Sequence, residues 1–239
     1  MTSSGALTVP IVLVALSPLA VAAGFALGVP WLLPVLAAAP AYAAMALLLS
    51  TGRRGAALAA MLVWALALGA TMTGLCAFDP VRAERVVIHG PAYWEEMRPW
   101  LETGVGRESD PSRFLPQHAL HAAAFIALSL LTASALSVLF GAVLMNYMAY
   151  YVAQVVRLSP AHPLLAGLLG WHPWSVVRIV SFVTLGVLLA EPLLARLMGR
   201  PRPAPSRVLL SLAVCGLLVD ALMKGLLAPH WAAVLRGLR

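Results

Sequence analysis

The sequence predicts an all-α fold: a polytopic helical membrane protein with six transmembrane helices, or seven, and one polar, amphipathic segment at the membrane face. Hydrophobic residues make up 62% of the 239 positions and charged residues only 10%. A soluble domain carries roughly a quarter charged residues. The mean hydropathy is +0.90. Several uncharged runs reach the ~20 residues that a helix needs to cross the ~30 Å hydrocarbon core. We therefore expect a single integral-membrane domain over residues 1–239.

The first three predicted spans cover residues 7–27, 31–49 and 56–78. Pro18 falls inside the first span and predicts a kink, because a proline within a helix removes one backbone hydrogen bond. Residues 1–5 hold no basic side chain, so we expect a first span rather than a signal peptide.

The fourth predicted span, 119–140, lies in a run with no charged residue for 43 positions, from Phe114 to Val156. One straight helix of that length would be roughly 64 Å long, twice the hydrocarbon thickness. We expect either a long tilted helix or a break near Gly141, with a helical or re-entrant extension to 157. The last spans are predicted at 176–194 and 208–228. The stretch between 157 and 173 is too broken by proline and glycine to span, so it should lie at the surface or re-enter.

Residues 79–117 form the polar segment. Together with the two histidines that follow, this part of the chain holds seven of the nine acidic residues and five of the sixteen basic ones. Tyr93, Met97 and Trp100 are spaced to share one helical face. This spacing predicts a short amphipathic helix over 92–102 that lies along the membrane surface.

The net charge of +7 is carried mainly by arginines in the connections and near the span ends. Such a balance is typical of membrane orientation and of anionic lipid headgroups, and no patch predicts nucleic-acid binding. With six spans, seven basic residues would lie on one side of the membrane and nine on the other, so the count does not decide the orientation. A seventh crossing between 141 and 173 would place residues 53–54 and 196–207 together on the cytoplasmic side and segment 79–117 outside. We favour that arrangement, in a bacterial-type cytoplasmic (inner) membrane.

A candidate site lies where the fourth span begins. His118 and His121 are three residues apart, so a helix would put both imidazoles on one face, beside carboxylates from the polar segment. Imidazoles and carboxylates are ligands of zinc and non-haem iron, which makes these two histidines candidate ligands for Zn or Fe. Without a metal, one histidine would act as a general base held by a carboxylate. The catalytic candidates are Glu95, Glu96, Glu102, Glu108, His118 and His121.

The alternative for the same residues is purely structural. Both histidines would then cap the start of a helix, and the glutamates would be solvated. The HxxH spacing does not decide between the two, because it lacks the glutamate of the zinc-protease HExxH motif.

The last span contains a second candidate site, for transport. Asp220 and Lys224 are four residues apart and share a helical face, so they are expected to pair with each other. Ionisable residues at membrane depth indicate a proton or ion path, although an internal ion pair explains them equally well. Asn146 and Gln154, with Tyr150 between them, form a polar stripe that either lines a substrate path or bonds to a neighbouring helix.

Other polar residues near the spans have structural interpretations. Arg178 lies close to the start of its span and is expected to extend toward the interface. Glu191 is expected to pair with Arg196. Cys76 and Cys215 lie in apolar runs with no CxxC spacing, so we expect two buried small side chains rather than a redox or metal pair.

Three classes of function remain. The first, which we favour, is a membrane-embedded, metal- or histidine-dependent enzyme acting on a lipid or lipid-linked substrate. The second is a transporter or permease subunit that uses Asp220 and Lys224. The third is an accessory subunit of a membrane complex. The expected partners are membrane lipid and either a second copy of the chain or another membrane protein.

Overall fold

A computed structural model of the chain describes residues 5–201 and 203–239; the expectation about residues 1–4 lies outside them. The described residues form eleven helices and no β-strand. The helices are α1 (Gly5–Ala15), α2 (Ser17–Leu27), α3 (Leu32–Ser50), α4 (Arg54–Phe78), α5 (Pro80–Val86), α6 (Gly90–Thr103), α7 (Pro111–Thr132), α8 (Ala135–Leu158), α9 (Pro163–Gly170), α10 (Pro173–Leu197) and α11 (Arg207–Arg236).

Seven helical segments in the described chain are long and apolar enough to cross a membrane. They are Thr8–Leu27, which joins α1 and α2, and the single helices α3, α4, α7, α8, α10 and α11. The predicted class, an all-α polytopic membrane protein, is therefore confirmed, with seven candidate spans rather than six.

The first spans follow the prediction closely. The helix breaks at Leu16 between α1 and α2, and Pro18 lies in the first turn of α2, where its missing N–H costs least. Helix α3 is rich in alanine, so α4 approaches it closely: the Trp64 indole donates to the carbonyl of Ala37 at 2.9 Å. Cys76 is buried as expected, whereas Cys215 is exposed on α11.

The long uncharged run does not form one extended span. It folds into two helices, α7 and α8, joined by a turn in which Ala133 and Ser134 both have left-handed backbone angles. The predicted break near Gly141 and the span over 119–140 are therefore wrong. Serine and threonine hydroxyls take the place of glycine or proline at this turn: Ser134 Oγ donates to the carbonyl of Gly186 at 2.6 Å, and Ser129 Oγ donates to Ser137 Oγ at 2.8 Å.

Seven alternating crossings place the connections at two ends of the bundle. One end, here called the capped end, carries residues 79–110, residues 159–172 and the end of α11. Helices α6 and α9 meet α11 there: Trp100 Nε1 donates to the carbonyl of Ala228 at 3.1 Å, and Trp231 Nε1 donates to that of Leu169 at 2.9 Å. The opposite, basic end carries Arg53, Arg54, Arg196 and Arg200, the grouping expected of seven spans.

The predicted amphipathic helix over 92–102 exists as α6, but its surroundings differ from the prediction. Met97, Trp100 and Leu101 are buried. They pack in one hydrophobic cluster with side chains of α8, α10 and α11. The apolar face of α6 is therefore covered by protein rather than by lipid, and α6 helps to close the capped end.

Candidate functional site

Six polar side chains meet between the spans near the capped end and are here called the charged cluster. They come from the polar segment, from α7, α10 and α11 and from the connection before α10: Glu108, His118, His172, Arg178, Asp220 and Lys224. Four of these side chains are at most 7% exposed: Glu108, His172, Asp220 and Lys224. Burial in a membrane protein makes each of these charges expensive unless it is paired.

Asp220 is bound by an arginine from the neighbouring helix. Arg178 Nε and Nη2 donate to the two carboxylate oxygens at 3.0 and 3.1 Å. This two-point geometry is the strongest form of an arginine–carboxylate pair. The expected pairing of Asp220 with Lys224 is therefore wrong, and Arg178 does not extend toward the interface.

Lys224 pairs with the polar segment instead. Its Nζ lies 2.8 Å from Glu108 Oε2, and Trp174 Nε1 donates to the other oxygen at 2.9 Å. The loop that carries Glu108 inward turns tightly over Trp100. A Cβ added at Gly106 would come within 2.9 Å of the Trp100 side chain, so this approach requires a glycine.

Glu108 is ionised at neutral pH. Burial by itself raises the pKa of Glu108, but the charge of Lys224, the His172 ring and the hydrogen bond from Lys224 together lower it to about 2. The carboxylate is thus a fixed negative charge that holds Lys224 in place.

His118 lies between the two ion pairs. Its Nδ1 is 3.4 Å from Asp220 Oδ2, but the geometry is not that of a hydrogen bond. Its Nε2 is 3.4 Å from Lys224 Nζ. Because an ammonium group only donates, Nε2 is the unprotonated acceptor and the imidazole is neutral. Lys224 also lies over the Phe114 ring, 4.8 Å from its centroid.

His172 is enclosed by aromatic rings. It stacks on Trp174 with centroids 4.7 Å apart and meets Trp100 edge-on at 5.2 Å. Its Nε2 is 3.1 Å from the Tyr151 hydroxyl, and its Nδ1 is 3.9 Å from Glu108 Oε1. Burial lowers the pKa of His172 to about 3, so the ring is neutral at physiological pH.

A cavity of about 110 Å³ extends from the charged cluster into the bundle. The lining side chains come mainly from α7, α8 and α10, and α3 and α4 contribute further ones. Its polar end is lined by Glu108, Gln117, His118, His121, Arg178 and Lys224. Its apolar end is lined by side chains such as Met45, Trp64, Phe125, Val138, Met145 and Phe182.

The structure brings together only part of the predicted catalytic set. Glu108, His118 and His121 all line the cavity. Glu95 and Glu96 pair with Arg98 and Arg107, each at 2.9 Å, on partly exposed surface. Glu102 is also exposed. The structural alternative, solvated glutamates, thus describes these three carboxylates, but not Glu108.

The surroundings of His118 and His121 do not fit a metal. Within residues 5–201 and 203–239, no group of three or more histidine, cysteine or acidic side chains is arranged to hold an ion. The Lys224 ammonium next to His118 would also repel a divalent cation. His121 instead meets the Phe140 ring edge-on at 5.7 Å.

The expected polar stripe on α8 does not line the cavity, because neither Asn146 nor Gln154 is among the lining residues. Asn146 is buried, and its Oδ1 has no hydrogen-bond partner among the described residues. Gln154 accepts a bond from Arg157 at 3.2 Å near the end of the helix. Glu191, expected to pair with Arg196, is bound by Arg54 instead, with Nε at 2.8 Å.

Two members of the cluster were missed at the level of the sequence. His172 precedes a proline in a connection, and nothing in its neighbourhood along the chain indicates burial. For Arg178 the sequence did contain a signal: it is a charged residue inside a predicted span, and the last span contains an acidic residue that could pair with it.

Comparison with protein-family models, with curated proteins and with solved structures gives no match, so functional inference depends on the geometry described above.

Proposed function

We propose that this protein binds one end of an amphiphilic, lipid-like molecule in the intramembrane cavity and uses His118 for acid–base chemistry on its headgroup. The observation that carries the proposal is the division of one cavity into a polar end with two histidines and an apolar end. Membrane lipid is the obvious source of such a ligand, and the location we propose is a bacterial-type inner membrane. A ligand site is typically an apolar pocket with a few convergent polar groups.

The size of the cavity limits what it takes in. An engineered cavity of roughly 150 Å³ accepts benzene. The volume of about 110 Å³ therefore suits a headgroup and the adjoining methylene groups, not a whole lipid.

The neighbours of His118 support the proposed chemistry. A neutral imidazole can accept a proton, and Nε2 becomes available when a headgroup accepts the hydrogen bond that Lys224 otherwise donates to it. After proton transfer, the imidazolium would be stabilised by the carboxylate of Asp220, 3.4 Å from Nδ1. Lys224 keeps its pairing with Glu108, so the step moves one proton from the headgroup to His118 and changes no other charge.

The binding step is tested by filling the apolar end of the cavity. Gly141 lines it and has only the Phe125 ring near its Cβ position, at 3.9 Å. Gly141→Leu is expected to remove lipid that co-purifies with the protein, measured by native mass spectrometry. Gly74→Leu is the matched control, because Gly74 is exposed on α4 with no heavy atom within 4 Å of its Cβ position. Equal lipid retention in both variants would contradict the proposal.

The chemical step is tested with a total membrane lipid extract. The wild-type protein is expected to convert one lipid class during incubation, whereas His118→Gln binds lipid and converts none. Products are followed by mass spectrometry. Conversion by His118→Gln at the wild-type rate would exclude His118 as the base and leave only the binding role.

A second candidate, proton-coupled transport, is favoured by one observation. Asp220 and Lys224 are buried in a span and, through Arg178, His118 and Glu108, belong to one connected set of ionisable groups. Proteoliposomes loaded with a pH-sensitive dye distinguish the two functions. A proton flux that is lost in Asp220→Asn and retained in His118→Gln would favour transport, and no flux in the wild type would exclude it.

A further inference from the structure

We propose that the headgroup bound at the polar end carries no net charge: it is uncharged or zwitterionic rather than anionic. This inference rests on the proposed function and names the chemical class of its ligand. Two anions and two cations of the charged cluster cancel, Glu108 and Asp220 against Lys224 and Arg178.

Each cation facing the cavity already has its charge balanced by a carboxylate. Arg178 uses Nε and Nη2 on Asp220. Lys224 is divided between Glu108 at 2.8 Å and His118 at 3.4 Å, and its side chain is only 5% exposed. An anionic headgroup would therefore lose its hydration and leave the cluster with an unbalanced negative charge.

The same site suits polar groups without net charge. The lining offers the Gln117 amide, the His121 ring and the Ser175 hydroxyl, which can donate or accept hydrogen bonds. A zwitterionic headgroup adds a second arrangement: its negative group faces Arg178 while its positive group faces Glu108. Either headgroup leaves the charge balance of the cluster unchanged.

The experiment compares lipids with identical acyl chains but different headgroups. Diacylglycerol, phosphatidylcholine, phosphatidylglycerol and phosphatidic acid compete for the detergent-purified protein, and occupancy is read by native mass spectrometry. Only the occupancy that Gly141→Leu removes is assigned to the cavity. We expect the two lipids without net charge to exceed the two anionic ones by about tenfold, a ratio that corresponds to about 1.4 kcal/mol.

Glu108→Gln tests the cause of this preference. The substitution keeps the size of the side chain but removes the charge that neutralises Lys224, so the preference is expected to reverse toward the anionic lipids. Glu96→Gln is the matched control, because it makes the same change at a carboxylate paired with Arg107 on partly exposed surface. The control should leave the order of lipids unchanged.

The outcomes separate this inference from the proposed function. If no lipid occupancy depends on Gly141, the cavity does not bind lipid and the proposed function fails. If cavity-dependent occupancy is highest for the anionic lipids in the wild type, only the headgroup assignment fails. Should Glu108→Gln not fold, Lys224→Met makes the opposite change and is expected to favour a lipid with a cationic trimethylammonium headgroup. An unchanged order in that variant would overturn the assignment.

Discussion

The bundle contains two ionic networks of similar chemistry at different depths. At the basic end, Arg54 binds Glu191 and also donates to the carbonyl of Ala204 at 2.9 Å, and the two charged side chains are 24% and 10% exposed. Nearer the capped end, the Asp220 and Glu108 side chains are 2% and 7% exposed; of the cations that hold them, Lys224 is 5% exposed and Arg178, which lines the cavity, is 23% exposed. Both networks join helices that are far apart in the sequence.

The difference in exposure changes what each network does. Water and lipid headgroups can solvate Arg54 at the basic end, so the loss of the Glu191 charge is tolerated and the pair mainly ties α4 to α10. Arg178 has a similar exposure but lines the cavity between the spans, and its partner Asp220 is almost completely buried, so a lost partner in the charged cluster is harder to replace. The charged cluster also borders the cavity, so an unbalanced charge in the cluster would act directly on a ligand bound there. We infer that the outer pair is structural and that the inner network sets specificity.

The largest expected effect is the loss of a carboxylate in the inner network. Asp220→Asn leaves the Arg178 guanidinium without its counter-charge and is expected to lower the free energy of unfolding by about 3–5 kcal/mol. The measurement is equilibrium unfolding in detergent.

The double variant Asp220→Asn/Arg178→Met is the control for this experiment. It removes both charges together, so it should recover most of the lost stability. If the double variant is as unstable as Asp220→Asn alone, the cost comes from packing and the contrast between the two networks fails.

The sequence predicted the fold well where composition alone decides it. The uncharged runs predicted the first three spans, and the spacing of Tyr93, Met97 and Trp100 predicted α6. The hairpin between α7 and α8 was missed because hydroxyl groups, not glycine or proline, form its turn. Ser134 reaches across to Gly186, a contact between residues that are distant along the chain.

The candidate site was predicted only in part, for a related reason. His118, Glu108, Asp220 and Lys224 were all identified as unusual polar residues, but they were divided between two alternative sites. Pairing within one helix follows from spacing, and it assigned Lys224 to Asp220. The observed partners, Arg178 and Glu108, depend on how helices pack, which local sequence does not specify.

A second, smaller effect is expected from pH. The pKa of His172 is about 3 in the folded protein, against roughly 6.5 in an unfolded chain. Between these values the unfolded state binds more protons, so the stability present above pH 6.5 is lost as the pH falls toward 3. Lowering the pH from 7 to 5 should remove about 2 kcal/mol of the stability that the neutral His172 ring contributes, at 1.36 kcal/mol per unit.

His172→Gln tests whether this ring is the source of the slope. Glu108, Tyr151 and Trp174 face the ring, and none of them is expected to change protonation between pH 7 and 5. The variant should therefore show a flatter pH dependence of unfolding. His162→Gln replaces an exposed histidine in the same connection and should keep the wild-type slope. Equal slopes in the two variants would assign the titration to another group.

A third effect isolates hydrogen bonding from charge within the inner network. Trp174→Phe keeps an aromatic ring beside His172 but removes the N–H that donates to Glu108 Oε1 at 2.9 Å. We expect a loss of about 1.5 kcal/mol, the lower range for a hydrogen bond to a charged group. Trp231→Phe, which loses a bond to the neutral carbonyl of Leu169, is the matched control and should cost less.

The smallest effect is expected for the pair between Arg54 and Glu191 at the basic end, where the test substitution is the counterpart of Asp220→Asn. Glu191→Gln changes a carboxylate to an amide just as Asp220→Asn does, and Arg54 retains its bond to the carbonyl of Ala204. Because Arg54 is partly solvated, the loss of unfolding free energy should stay below about 1 kcal/mol and should shrink as salt is added. Lipid selectivity should not change, because Glu191 is not part of the cavity lining. A loss equal to that of Asp220→Asn would mean that depth does not separate the two networks.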